Sequence, residues 1–211
     1  IIKERFEMTK IYEKYPEITN IKANVLSRKF VNNNTYLILD KTIFMPKNDF
    51  LIDDEGYLSG HKLLSVEEKR DNIVHLIEGK ETRKDLVLSL DKNIRKENLL
   101  ASTAFCLFKI FYKTYYPSGR FTLRANDDVK VIELENPSPD FDPYLLEEMI
   151  NYAISSGLKI SLDKGIAELS GIGQAVNNLI CFDNTYKLHS FKIEAMDVAD
   201  ELIRLTFTTG K

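Results

Sequence analysis

The chain has 211 residues, 44% of them hydrophobic and 29% charged, with a formal net charge of −3. That length buries a real core and fits two compact units of about 100 residues each, while the near-balanced charge gives no global pull toward nucleic acid. No apolar run approaches the ~20 residues that cross a bilayer, and the two cysteines do not make a secreted disulfide scaffold, so a cytoplasmic protein with no membrane partner is expected.

The start, Ile1-Ile2-Lys3-Glu4-Arg5, has neither an initiator Met nor an apolar signal core and reads as a trimmed beginning. From Ile21 to Leu90 short strands alternate with turn residues. Ile21 to Phe30 alternates, Asn32-Asn33-Asn34 turns the chain, and Thr35 to Leu39 is rich in β-formers, which predicts a hairpin. Tyr57-Leu58, His61 to Val66, Ile73 to Ile77 and Leu86 to Leu90 continue the series, with Arg70-Asp71-Asn72 as one of the turns. About six antiparallel strands without a convincing helix suggest a small barrel over residues 1–88. His61 and His75 lie on these strands and read as half-exposed strand residues, since no ligand-spaced Cys or carboxylate surrounds them.

Residues 89–211 change period. Ser89-Leu90-Asp91 can cap a helix that runs to about Tyr116, where Pro117-Ser118-Gly119 stops it. Its apolar residues, Leu100, Ala104, Leu107 and Phe111, recur at helical spacing, and Ala101, Phe105 and Phe108 widen the stripe into that of a buried helix. Arg120 to Leu123 and Val129 to Leu134 predict a hairpin around Ala125-Asn126-Asp127-Asp128. Asp142-Pro143 then opens a second helix with core stripe Leu146, Ile150, Ala153 and Ile154, ended by Ser156-Gly157. Leu158 to Leu162, Phe191 to Ala195 and Leu202 to Thr208 read as strands, giving an α+β unit with helices packed on an antiparallel sheet.

Charge is uneven. Lys92 to Lys130 carries eight basic residues, among them Lys109, Lys113, Arg120 and Arg124, against three acidic ones, and the following stretch from Glu133 to Glu148 is acidic. A basic face and an acidic face pointing different ways are expected. Aromatic Tyr112, Tyr115, Tyr116 and Phe121 lie beside the basic residues, the pairing that recognition of an RNA end uses.

No Ser-His-Asp arrangement, phosphate loop or dinucleotide fingerprint is present. Ser102 and Cys106 stand four residues apart on the first helix, one above the other, and Asn177 and Cys181 have the same gap later in the chain. Two thiols can supply half of a tetrahedral zinc site, but Ser and Asn are poor zinc ligands. The other reading of the spacing is two unrelated buried cysteines.

Three blocks resemble the editing domain of alanyl-tRNA synthetase and its freestanding AlaX-type trans-editing relatives. The first runs from Met8-Thr9-Lys10-Ile11-Tyr12 through Ile21-Lys22-Ala23-Asn24-Val25-Leu26 to Leu39-Asp40-Lys41-Thr42-Ile43-Phe44-Met45-Pro46 and Asp54-Glu55-Gly56. The second is Ser102-Thr103-Ala104-Phe105-Cys106, with Asn151 in a matching helix. The third is Asn177-Asn178-Leu179-Ile180-Cys181 followed by Asn184-Thr185 and Phe191-Lys192-Ile193. The resemblance covers nearly all of the chain and implies a small antiparallel barrel followed by a two-layer α+β editing domain. It also implies hydrolysis of seryl or glycyl esters of alanine tRNA at a zinc held by three histidines and a cysteine.

Position by position, that site departs from the family. Ser102 and Cys106 stand at the two helix histidines, Asn177 at the cysteine and Cys181 at the last histidine, and the family's glycine-rich loop is here Asn48-Asp49-Phe50-Leu51. No resident metal or other cofactor is therefore expected. Two functional readings stand. One is a module that keeps tRNA acceptor-end binding through Lys109, Lys113, Arg120 and Arg124 but has lost zinc chemistry. The other is an active aminoacyl-tRNA deacylase using Thr103 to position water, or a residual Cys106/Cys181 metal. Aminoacyl-tRNA ligation is not supported by these residues. The adjacency implied for Cys106 and Cys181 raises a disulfide between them, which a reducing compartment would keep open. Gly210-Lys211 falls where the family's editing unit ends, leaving room for a protein partner or a C-terminal oligomerisation region.

Overall fold

Asn32 and Asn33 both take left-handed backbone, with φ of 46° and 66°, and so form the tight turn between β2 (Asn20–Val31) and β3 (Asn34–Leu39). A computed structural model describes residues 8–70, 72–116, 118–125 and 129–210. Residues 1–7, Asp71, Pro117, Asn126-Asp127-Asp128 and Lys211 lie outside the described residues. The chain forms two compact units, one from residues up to Asn48 and Asp53–Lys96, the other from Asp49–Ile52 and Glu97 onward. The division falls within the long helix, whereas the sequence suggested a boundary just before it.

In the first unit, β1 (Thr9–Lys10) pairs in parallel with β4 (Lys41–Thr42), and the helical turn α1 (Ile11–Lys14) follows β1. β2 and β3 are joined by β5 (Gly56–Leu58), β6 (His61–Lys69), β7 (Asn72–Glu78) and β8 (Asp85–Leu90). The antiparallel order β2-β3-β7-β6-β5-β8 closes when β8 pairs with the first half of β2. Closure leaves alternate side chains inward: on β8, Leu86, Leu88 and Leu90 are buried while Asp85 and Val87 face out. Each fully buried Leu or Ile in this layer contributes about 1.5–3 kcal/mol. Gly56 begins β5 because a Cβ there would collide with the Ser89 carbonyl.

Buried polar side chains inside this unit include an ion pair and a histidine. Arg95 and Asp54 form an ion pair at 2.5 Å, with 1% and 0% of their side chains exposed. Arg95 also donates to the carbonyls of Pro16 and Ile43, and Asp54 accepts from the Met45 amide. His75, expected to be half exposed, is wholly buried. It lies on the inward-facing register of β7 beside Thr42, whose hydroxyl is 2.8 Å from Nε2. Burial pushes its pKa down to about 4, so the ring is neutral. His61 is the half-exposed one.

The second unit is helices on antiparallel sheet. Asp91 accepts from the amides of Asn93 and Ile94 and so starts α2 (Lys92–Tyr115). β9 (Arg120–Ala125) and β10 (Lys130–Glu135) pair as a hairpin. α3 (Pro143–Ser156) is capped by Asp142 and ended by Gly157 at φ 61°, with Leu146, Ile150, Ala153 and Ile154 buried. β14 (Phe191–Ala199) and β15 (Leu202–Thr209) complete a four-stranded sheet in the order β14-β15-β10-β9. Asn151 ties α3 to this sheet by bonding both backbone groups of Phe191. A separate three-stranded sheet, β11 (Ile160–Asp163), β12 (Ile166–Leu169) and β13 (Gly173–Val176), precedes the loop that reaches the candidate site. Only the first of these three strands was read from sequence.

Candidate functional site

The apolar stripe of α2 buries the whole stretch from Leu99 to Tyr112, so its polar members must find partners inside the protein. Ser102 Oγ lies 2.7 Å from the Asn98 carbonyl and 2.5 Å from the Ile180 carbonyl, and its single proton is shared between them. Thr103 Oγ1 accepts from the Phe182 amide at 2.9 Å. The backbone on both sides of Cys181 is thereby fixed to adjacent positions of the helix, which sets the Cys181 side chain against α2.

Asn177 organises the loop. Its amide nitrogen donates to the Leu179 carbonyl at 2.8 Å and to Cys181 Sγ at 3.1 Å, bending the chain back on itself. Its amide oxygen accepts from Lys109 Nζ at 3.2 Å, and the same ammonium donates to the Val176 carbonyl at 2.7 Å. Lys109 is 9% exposed and its ammonium lies 4.5 Å from the centre of the Phe105 ring. Ser102, Cys106, Asn177 and Cys181 therefore meet in one buried cluster, with Lys109 as a fifth member. Its place three residues beyond Cys106 on the same helix face was the available signal for it.

The electrostatics follow from burial. A hydrogen bond with Cys106 and desolvation push the Cys181 thiol well up, and the weaker pull of Lys109 and Asn177 does not offset them. Burial lowers the pKa of Lys109, while the two cysteines draw it back up. Both cysteines are free thiols.

This donor set does not fit a tetrahedral zinc. The Ser102 hydroxyl is committed to carbonyls and the Asn177 amide to Lys109, Leu179 and Cys181. An ammonium already supplies the positive charge beside the two sulfurs. Among the described residues no group of three or more His, Cys, Asp or Glu side chains stands together to hold a metal ion.

The outer residues divide differently from expectation. Lys109 belongs to the cluster and does not share a surface with Lys113. Lys113, Arg120 and Arg124 are exposed. The hairpin register sets Arg120 opposite Glu135, and Glu133 accepts from Arg124 and Arg204, each at 3.0 Å. Lys130 pairs with Glu97 at 2.7 Å. Acidic and basic residues thus share one surface instead of forming opposed faces. Both guanidiniums hold the Glu133 carboxyl below the usual range.

Tyr112 is 1% exposed and packs on Tyr116, Phe121 and Phe141 at 4.9–5.1 Å, so it is core and cannot stack on a base. Tyr115 remains exposed. In the segment Asn48-Asp49-Phe50-Leu51, Leu51 is buried, and Asn98 bonds both backbone groups of the following Ile52, at 3.0 and 2.8 Å. Ala125 donates to the Phe50 carbonyl.

No family model matches the chain, and no curated protein matches it. No helix among the described residues is long and apolar enough to cross a membrane.

Proposed function

We propose that this protein is a tRNA-binding relative of the alanyl-tRNA synthetase editing domain, with the fold that the threonyl and alanyl synthetases share, and that its former metal centre is a structural cluster. The observation that carries the reading is the meeting of Ser102 and Cys106 with Asn177 and Cys181, positions far apart in sequence that the resemblance assigns to one metal site. Lys109 brings a cation to that place, and the hydroxyl and amide are saturated by protein partners. Thr103 is buried and accepts from Phe182, so no hydroxyl there is open to position water. In this reading the centre has lost ester hydrolysis and serves to hold the 177–182 segment on α2.

Binding would use exposed Lys113 and Arg120, the partly compensated Arg124, and Tyr115 as a stacking surface. Few free cations predict weak affinity and a shallow salt dependence, a log–log slope of about −2. The free thiols suit a reducing cytoplasm, where charged tRNA is found. The test is a salt titration of tRNA binding, together with a deacylation assay on seryl-tRNA for alanine. Salt-sensitive retention without ester cleavage is expected; no retention at low salt, or turnover of the ester, would overturn the proposal.

A further inference from the structure

The two thiols of the cluster are not equivalent. Cys106 is 0% exposed in the middle of α2, whereas Cys181 is 8% exposed on the irregular segment 177–182, next but two to exposed Asn178. That segment is tied to the helix by three side-chain bonds, from Ser102 to the Ile180 carbonyl, from the Phe182 amide to Thr103 and from Lys109 to Asn177. Exposing Cys181 needs those bonds to open, while exposing Cys106 needs movement of the core helix itself. Lys109, one turn beyond Cys106, keeps its ammonium at Asn177 and therefore beside both sulfurs.

We infer that Cys181 and Cys106 form an ordered dithiol pair, in which Cys181 reacts first with a small-molecule disulfide and Cys106 then resolves the adduct. With glutathione disulfide as oxidant, the Cys181 thiolate attacks one sulfur of the reagent. A mixed disulfide forms on Cys181, and the released glutathione takes up the proton that Cys181 gave. The Cys106 thiolate next attacks the Cys181 sulfur, forming the Cys106–Cys181 disulfide and releasing a second glutathione with the Cys106 proton. Two protein thiols are oxidised and one external disulfide is reduced to two thiols. Burial keeps the Cys181 thiol protonated in the closed cluster, so the reacting thiolate forms when the segment opens to solvent. The product pins the Asn177–Phe182 segment to α2 and makes this buried cluster a redox-sensitive joint. The inference rests on the cluster alone and is independent of RNA binding.

The native protein is incubated with glutathione disulfide, quenched by acid, alkylated in denaturant and read by intact mass and peptide mapping. The wild type is expected to lose two hydrogens, with the Cys106 and Cys181 peptides linked and no adduct retained. Cys106→Ser is expected to hold one glutathionyl group on Cys181, and Cys181→Ser to stay unmodified. Both wild-type thiols alkylated after oxidation, or a stable wild-type adduct, would overturn the pairing, and this readout stands even where a variant fails to fold. An adduct trapped on Cys106 instead of Cys181 would overturn the order.

Discussion

Lys109 donates its buried ammonium to the side-chain oxygen of Asn177 at 3.2 Å, tying the middle of α2 to a loop almost seventy residues away. The Val176 carbonyl takes a second of its protons at 2.7 Å. Lys109→Met leaves the buried Asn177 oxygen without its charged donor and removes the bond to the Val176 carbonyl, and hydrogen bonds to a charged group are the stronger class, so a loss of about 2–3 kcal/mol is expected. Lys113→Met, on the exposed side, is expected to stay within about 0.5 kcal/mol. Urea unfolding of the two variants checks this; equal effects would remove Lys109 from the cluster.

The cluster is expected to hold together without zinc. Chelator treatment is expected to leave the thermal midpoint unchanged, and equilibration with zinc followed by dialysis to leave no stoichiometric metal on elemental analysis. One retained zinc per chain, or a midpoint that falls on chelation, would contradict the description of the donors.

Burial of His75 makes stability fall with acid. Its folded pKa of about 4 lies below the ordinary value of 6.5, so the unfolded chain takes up a proton first as pH falls. The contribution is complete above about pH 6.5 and is lost progressively down to about pH 4, about 3 kcal/mol in all. His75→Leu is expected to flatten that part of the stability profile, measured as urea midpoints at pH 7 and pH 5. An unchanged slope would contradict a neutral buried ring.

The Arg95–Asp54 pair carries a large penalty for half-removal. Arg95→Met strands a carboxylate whose side chain is 0% exposed and is expected to cost about 3–5 kcal/mol. Arg95→Met combined with Asp54→Leu is expected to recover much of that loss, because both charges are then gone. A double variant as unstable as the sum of the singles would show that the pair acts independently of its mutual charge.

What the sequence exposed and what it hid follow from range. Asn32-Asn33, Asp142-Pro143 and Gly157 act through local backbone, so the first hairpin and both ends of α3 are legible from neighbouring residues. β12 and β13 have only four residues each, β13 opening on Gly173, too short for an alternation to stand out. The shared surface of acid and base was hidden by counting charges along the chain, since the β9–β10 register is what folds Glu133 and Glu135 back onto the arginines. His75 and Lys109 misled for one reason. A polar residue reads as exposed until its partner is known, and those partners are Thr42, Val176 and Asn177. The four cluster positions were paired only through the resemblance, since equal spacing in two segments does not say that they meet.

The most direct measurement is the lifetime of the ester in seryl-tRNA for alanine, followed at saturating protein with the bound fraction read by filter retention in the same samples. The predicted result is RNA retained at low salt with an ester lifetime no shorter than in buffer. Retained RNA whose ester is cleaved with turnover, or no retention at all, would contradict it.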